Sequence, residues 1–200
     1  MLENKLGLTT QAELARQEEK ISKLNAKRLF ESGKINELEI GTFSGLTTIH
    51  HVLFDDIYFF AGKMREVNIS KGDFRFASLM FLPASIDHID KMPHTTFDEI
   101  LDKYVEMNIA HPFREGNGRA MRIWLDLMLK SALGKVVDWN VIDKEDYLSS
   151  MRRSPVKSVE ISVLLKDALT DDLSMQTFMK GLDASYFYEG YYEYKTENLT

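Results

Sequence analysis

An all-α fold with one β-hairpin is the class that this sequence predicts, and two observations support the prediction. The segments between its 4 prolines and 11 glycines mostly repeat apolar residues at the i, i+3, i+4 spacing of an amphipathic helix. One stretch, residues 63–76, instead carries strand-type residues on both sides of Lys-Gly-Asp, a turn signal. Because 200 residues suffice for one sizeable core, we predict a single domain over residues 1–200.

The elements are predicted in chain order from periodicity and caps. Thr10 to Glu13 has the form of a capping box and opens a long polar helix that ends near Gly33, and its narrow apolar stripe predicts a surface position. Further helices are predicted over about residues 44–54, 83–91, 97–109, 121–129, 144–152, 157–169 and 174–188. The helix over 121–129 is apolar nearly all round, which is typical of a buried central helix. Residues 193–200 are predicted to be a solvated tail, and the pattern of 63–76 alone fits an irregular loop about as well as a hairpin.

Composition excludes several classes of function. The chain has 25 basic and 31 acidic residues, a net charge of −6, which opposes broad capture of nucleic acid or anionic membrane. It has no cysteine, which excludes disulfides, thiolate zinc sites and cysteine nucleophiles and fits a reducing cytoplasm. No apolar run approaches the roughly 18 residues of a membrane span, and the start lacks the basic-then-apolar order of a signal peptide. We therefore expect a cytoplasmic protein without a direct nucleic-acid or membrane partner.

The segment over residues 111–122 has the features of a phosphate site. Gly116 and Gly118 let the backbone approach a ligand closely, and the helix that follows begins with unpaired N–H groups. Arg119 and Arg122 are three residues apart, so they share one face of that helix and offer two guanidinium groups to further phosphates.

Two other residues of the segment fit the same chemistry. Glu115 is a hard oxygen ligand suited to Mg²⁺ shared with phosphates, and His111 can take a proton near neutral pH. Each feature alone has an ordinary explanation: a structural histidine, an Asn-Gly hairpin turn, or a solvated pair of arginines. The helical patterns on both flanks argue against the hairpin turn, and the segment lacks the order of a P-loop.

Together these residues resemble a known family. The run His111-x-Phe113-x-Glu115-Gly116-Asn117-Gly118-Arg119-x-x-Arg122 matches the motif H-x-F-x-(D/E)-G-N-G-R-x-x-R of the Fic domain family. The resemblance covers roughly residues 28–190 and implies a helical Fic fold with a core over about 28–170 and the hairpin as its flap. Most Fic proteins transfer AMP from ATP to a hydroxyl of a target protein, so the resemblance implies a protein adenylyltransferase.

The resemblance implies a role for each matching residue. His111 would deprotonate a Tyr, Thr or Ser hydroxyl of the target protein, Phe113 would anchor the loop, and Glu115 would hold Mg²⁺ against the phosphates of ATP. The positions implied for the anion hole and the phosphates are Gly116, Asn117, Gly118, Arg119 and Arg122. An extended target segment would add to the flap as a strand. The residues at the tip of that flap are Lys71, Gly72 and Asp73.

Gly118 also bears on the type of transfer. Doc-type relatives that act as kinases have Lys at this position, so Gly favours nucleotidyl over phosphoryl transfer. Other activities on the same fold stay open: transfer of UMP, phosphocholine or phosphate, removal of AMP from a modified target, or an inactive binding module.

A second run, from Ser185 to Gly190, resembles the (S/T)-x-x-x-E-(G/N) inhibitory motif of class III Fic proteins, on a helix over about 174–190 that precedes the tail 191–200. A helix end packed on the core explains its tyrosines but not an acidic residue in the last turn. The resemblance implies that Glu189 pairs with Arg122 and denies it to ATP, with Ser185 fixing the helix. Tyr186 is a candidate for modification in cis when the helix undocks. The resemblance further suggests oligomer contacts that hold the helix, and targets such as DNA gyrase or a related topoisomerase.

Overall fold

The computed structural model describes residues 2–71 and 74–200. Its helices are α1 (Gln11–Glu31), α2 (Phe43–Phe54), α3 (Leu82–Lys91), α4 (Phe97–Ala110), α5 (Asn117–Leu133), α6 (Lys144–Arg153), α7 (Val159–Asp167) and α8 (Met175–Tyr188). Its strands are β1 (Ser70–Lys71), β2 (Phe74–Arg75), β3 (Val136–Val137) and β4 (Leu169–Thr170). The predicted all-α class with a hairpin is confirmed, and none of the described helices is long and apolar enough to cross a membrane.

Helix α5 lies at the centre of the fold, as its apolar sequence predicts. Trp124, Met128 and Leu129 are fully buried, and the helix packs against α2, α4 and α8. Burying each such side chain contributes about 1.5–3 kcal/mol relative to leaving it exposed. The Trp124 indole keeps a partner because its Nε1 donates to the Thr42 carbonyl at 3.1 Å. This packing fixes the start of α5, where the motif lies.

The narrow buried stripe predicted for α1 is wrong, although the helix keeps an exposed face. Leu14, Ala26 and Leu29 are buried, and so are four polar side chains on the same helix: Glu18, Glu19, Ser22 and Lys23. The helix packs between α2 and α8, with Lys23 Nζ 2.9 Å from Glu19 Oε1. Buried charges are tolerated when they are paired and hydrogen-bonded, so a count of apolar residues underestimates how much of such a helix is covered.

The predicted solvated tail is also wrong. Thr196 is fully buried, and its hydroxyl donates to Asp183 Oδ1 of α8 at 2.6 Å. Lys27 of α1 donates to the Leu199 carbonyl at 2.7 Å. The sequence did not predict these contacts because the segment is mostly polar. It forms hydrogen bonds with side chains of α1 and α8 and adds little apolar area to the core.

The predicted hairpin over residues 63–76 is present but short. Strands β1 and β2 pair antiparallel with Ser70 opposite Arg75 and Lys71 opposite Phe74, and the turn residues 72 and 73 lie outside the described part of the chain. A second antiparallel pair, β3 with β4, was not predicted. Two-residue strands leave too short a pattern in sequence to be recognised.

Candidate active site

The loop between α4 and α5 is closed by the side chain of the first residue of α5. The Asn117 amide accepts from the Phe113 N–H and donates to the Phe113 carbonyl, both at 2.8 Å. Gly116 adopts the left-handed conformation (φ 79°), and a Cβ there would overlap the Phe54 ring. The polar atoms of the Asn117 side chain are thus used to shape the loop. The groups that could donate to an anion at the start of α5 are therefore the backbone N–H groups of its first turn.

A buried histidine of α2 contacts this loop and helps to hold its shape. His50 Nδ1 accepts from the Gly62 N–H at 2.9 Å, so Nε2 carries the proton and donates to the Glu115 carbonyl at 2.8 Å. Its ring stacks on Phe113 with centroids 3.9 Å apart. Burial lowers the pKa of His50 to about 3, which keeps the ring neutral. His50 was not singled out from the sequence, and its contacts give it a supporting position.

His111 is held in one tautomer at the end of α4. It adopts φ 48°, and no other non-glycine residue in the described ranges has a positive φ. Its Nδ1 lies 3.2 Å from the Asn108 carbonyl, which can only accept, so Nδ1 carries the proton and Nε2 is the acceptor. The Phe76 ring stacks on the imidazole at 3.6 Å. Burial lowers the pKa of His111 to about 3, so the ring is a neutral base at physiological pH.

Arg65 joins the flap to this loop and was not singled out from the sequence. Its guanidinium donates to the carbonyls of Val67 at 2.7 Å and His111 at 2.9 Å. It also donates to the carbonyls of Ala110 and Ala77, so it spans both legs of the hairpin and the end of α4. The sequence does not predict this role of Arg65, because all four of its partners are backbone carbonyls and no partner side chain marks them.

Glu115 and Arg119 form a pair at the cavity wall. Both hydrogen bonds to the Glu115 carboxylate go to Oε1, from the Gly116 N–H at 2.9 Å and from Arg119 NH2 at 3.0 Å. The Glu115 side chain is 46% exposed, whereas that of Arg119 is 1% exposed. Arg119 also pairs with Glu18 of α1, which the sequence analysis did not identify. Its buried Nε has no hydrogen-bond partner among the described residues.

The end of α8 covers the other motif arginine. Arg122 NH2 lies 3.0 Å from Glu189 Oε1 and 3.0 Å from the Ser185 carbonyl, and its Nε donates to the Ser185 hydroxyl at 2.6 Å. Burial alone would raise the pKa of the Glu189 carboxyl, but Arg122, followed by Lys71, outweighs it and holds that pKa at about 2. Glu189 is therefore ionised throughout the physiological range.

Lys71 links the flap to the same carboxylate. Its Nζ lies 3.3 Å from Glu189 Oε2, a contact that the sequence analysis did not anticipate. The other two predicted tip residues, Gly72 and Asp73, lie outside the described residues. Tyr186, the predicted site of modification in cis, is fully buried, so any modification requires α8 to undock.

These residues surround one cavity of about 390 Å³. Its lining brings together Lys71, His111, Glu115, Gly118, Arg122 and Glu189. A Cβ on Gly118 would lie 2.6 Å from Glu189 Oε1 and 3.2 Å from Arg122 NH1, so the absence of a side chain keeps this wall open. A neutral base, a carboxylate, a helix N-terminus and arginines around one space form a site suited to a phosphate ester.

Comparison with known proteins places the chain in a family. The Fic/DOC family model matches residues 42–129, which include the loop and most of α5. The chain is 30% identical over 158 residues to the probable protein adenylyltransferase Fic of Salmonella typhimurium, covering 74% of this chain and 76% of that protein. This chain belongs to the Fic/DOC family. It is also 30% identical to the protein adenylyltransferase VbhT of Bartonella schoenbuchensis, of whose length it spans 37%.

Solved Fic structures show the same fold. The Bartonella tribocorum effector BepC, with bound AMPPNP, aligns with TM-score 0.67 at 20% identity over 85% of this chain and 92% of that one. The Fic domain of a Bartonella quintana effector, with bound ADP, aligns with TM-score 0.70 at 19% identity over 88% of this chain and 94% of that one. The predicted Fic fold and family are confirmed, and the prediction of a Fic-type adenylyltransferase agrees with the names of the curated relatives.

Proposed function

We propose that this Fic protein transfers AMP from ATP to a hydroxyl of a target protein, and that Glu189 keeps it inhibited. The observation that carries the proposal is the cavity, where the Nε2 acceptor of His111, the Glu115 carboxylate and the start of α5 belong to one lining. The relatives named adenylyltransferases and the Fic structures with AMPPNP or ADP support an adenine nucleotide as the donor.

In the proposed reaction His111 Nε2 accepts the proton of the target hydroxyl. The hydroxyl oxygen forms a bond to the α-phosphorus of ATP, and the bond from that phosphorus to the bridging oxygen breaks. Pyrophosphate leaves with the electron pair of the broken bond. The N–H groups at Asn117 and Gly118 stabilise phosphate oxygens, since the first N–H groups of a helix have no partner within it. Positioning and charge neutralisation supply most of the acceleration.

The donor set fits Mg²⁺ that is shared with the substrate. Within the described residues there is no cluster of three His, Cys, Asp or Glu side chains that could hold a metal ion. The Glu115 side chain is about half exposed at the cavity. Its two hydrogen bonds go to Oε1, so Oε2 is available to a metal ion. One carboxylate plus phosphate oxygens is a common way for proteins to bind Mg²⁺. When bound, the ion would neutralise charge on the phosphates.

The flap is the proposed docking edge for the target. Ser70 and Lys71 of β1 are exposed, and Arg65 holds the base of the hairpin to the loop that carries His111. An extended segment pairing with this edge would set its hydroxyl relative to His111 by strand register, because side chains alternate along a strand. The resemblance suggests a topoisomerase such as gyrase as the target and a self-association that steadies α8. Both stay proposals.

Inhibition is proposed to act through Arg122. In the arrangement described, the Arg122 guanidinium binds Ser185 and Glu189, so it is not free to bind the γ-phosphate. The Glu189 carboxylate also adds negative charge where ATP would carry its own. This leaves His111 and Glu115 in place and disables only the placement of ATP. Release of Glu189 would restore Arg122 to the nucleotide.

Labelled donors test the reaction with the Glu189→Gly variant. We expect label from [α-³²P]ATP and none from [γ-³²P]ATP on protein in a bacterial lysate, with less from UTP, GTP or CTP. His111→Ala in the same background should abolish labelling, whereas the control His51→Ala, at an exposed position of α2, should keep it. Labelling from the γ position would indicate phosphate transfer instead. Loss of label from a modified target incubated with the wild type would indicate AMP removal.

A further inference from the structure

Arg119 is enclosed by charges and rings from three parts of the chain. The carboxylates of Glu18 and Glu115 bind its guanidinium, and Glu18 also accepts from the Tyr58 hydroxyl. The rings of Tyr186 and Tyr191 lie 5.4 and 5.0 Å from the guanidinium carbon. Glu18 is as deeply buried as Arg119, with side chains 2% and 1% exposed. The two charges therefore form a neutral, desolvated pair.

This pairing determines how strongly Arg119 holds Glu115. Glu18 already neutralises the buried Arg119 guanidinium. Glu115 therefore contributes only one hydrogen bond to Arg119, at 3.0 Å. Without the Glu18 charge, Glu115 would be the carboxylate left within hydrogen-bonding distance of Arg119, and a charge-assisted bond strengthens when its partner is otherwise uncompensated. Arg119 would then compete with a cation for the Glu115 carboxylate.

We propose that Glu18 is a positioning residue of the active site: it neutralises Arg119 and so keeps Glu115 available to a divalent cation. The inference rests on the proposed function, since the cation is the one that would accompany ATP. It also makes α1 part of the active site, although Glu18 lies outside the residues 42–129 that the family model matches.

The chain offers a matched control on the same helix. Glu19 is as buried as Glu18, but it pairs with Lys23 at 2.9 Å and accepts from the backbone of residues 193 and 194. Glu19→Gln therefore removes an equally buried carboxylate from α1 without touching Arg119. A loss of stability alone would affect both variants.

The test measures cation binding by the protein–nucleotide complex, using the loss of the free Mn²⁺ paramagnetic resonance signal. Protein is kept in excess over a non-hydrolysable ATP analogue, because free analogue binds Mn²⁺ by itself. All variants carry Glu189→Gly. Glu18→Gln is expected to raise the Kd for Mn²⁺ at least about fivefold, and Glu19→Gln to change it less than about twofold. AMP transfer by the Glu18→Gln protein should fall most at limiting Mg²⁺ and recover as Mg²⁺ is raised.

A double variant keeps the test decisive where Glu18→Gln alone fails to fold. Glu18→Gln with Arg119→Gln removes both buried charges, so no guanidinium competes for Glu115. Because the family resemblance also assigns Arg119 to the phosphates, the protein concentration is set for each variant so that all of the analogue is bound. The Kd for Mn²⁺ should then return to within about twofold of the Glu189→Gly value. Any of three results would overturn the inference. The Kd for Mn²⁺ could be unchanged by Glu18→Gln, it could be raised equally by Glu19→Gln, or it could still be raised fivefold in the double variant. If the Glu189→Gly protein binds Mn²⁺ but transfers no AMP, the proposed function fails while this comparison still decides the role of Glu18. If it binds no Mn²⁺, both fail.

Discussion

At the scale of single residues, burial and one backbone hydrogen bond determine the proton state of His111, the proposed base. His111 could act as a base only with a nitrogen lone pair free at the cavity, and the Asn108 carbonyl assigns the proton to Nδ1. Burial lowers the pKa of His111 to about 3, so protonation does not remove the base when the pH falls from 8 to 6. The charge state of this imidazole is therefore constant over the working range.

Nitrogen NMR of the histidine rings checks this assignment. We expect the His111 ring of the wild-type protein to show a protonated Nδ1 and an unprotonated Nε2, with no titration between pH 5.5 and 8, because its pKa lies near 3. His111→Gln identifies the signal. A titration midpoint near the ordinary value of about 6.5, or a proton on Nε2, would contradict the assignment.

At the scale of elements, α8 is held by contacts along its length as well as by the proposed inhibitory contact at its end. Lys23 of α1 lies 3.1 Å from Asp183 of α8 and donates to the Tyr194 carbonyl at 2.6 Å. Thr196 of the last segment donates to Asp183 from its backbone at 3.0 Å and from its hydroxyl. Helix α1 and the C-terminal residues thus clamp α8 through residues that do not line the cavity. The proposed inhibitory contact should depend on this clamp, because Glu189 is the C-cap of α8.

Replacing Asp183 should loosen the clamp without altering the cavity. Asp183→Ala leaves the buried Thr196 groups without their acceptor, at a cost of about 1–3 kcal/mol, so a larger fraction of molecules should have α8 undocked. We expect AMP transfer to rise at least about fivefold and the melting temperature to fall. Asp171→Ala, at an exposed carboxylate before α8, serves as the control. Unchanged transfer with a lowered melting temperature would separate the clamp from inhibition.

The contact between the flap and α8 should matter less. The Lys71 side chain is 70% exposed, and exposed ion pairs contribute about 0–1 kcal/mol. Lys71→Ala should therefore raise AMP transfer by no more than about fivefold, well below the effect of Glu189→Gly. Arg75→Ala, at the exposed basic residue of β2, is the matched control. A Lys71→Ala rate equal to that of Glu189→Gly would show that the flap, not Arg122, determines the position of Glu189.

At the scale of the whole molecule, the sequence predicts what is local and misses what is distant. The helices, the caps and the loop over 111–122 are predicted from neighbouring residues. The role of the run at 185–190 is predicted only through the family resemblance. Glu18 and Arg119 are separated by 101 positions, and Lys71 and Glu189 by 118, so no spacing rule relates them. The buried face of α1 is wider than predicted for the same reason: four of its polar residues are buried by partners that the pattern of α1 does not contain.

The central claim is that an otherwise complete site is kept inactive by one carboxylate. It predicts that removing Glu189 increases activity instead of destroying it, because the ion pair with Arg122 is lost while His111 and Glu115 stay in place. A partly buried charge-assisted bond contributes about 1.5–3 kcal/mol, which corresponds to roughly 10- to 100-fold in rate.

The most direct measurement is the rate of AMP transfer from [α-³²P]ATP by wild type and by Glu189→Gly at equal concentration. The predicted result is a rate at least about tenfold higher for Glu189→Gly. Equal rates, or a lower rate for a Glu189→Gly protein that is folded and binds ATP, would contradict the claim.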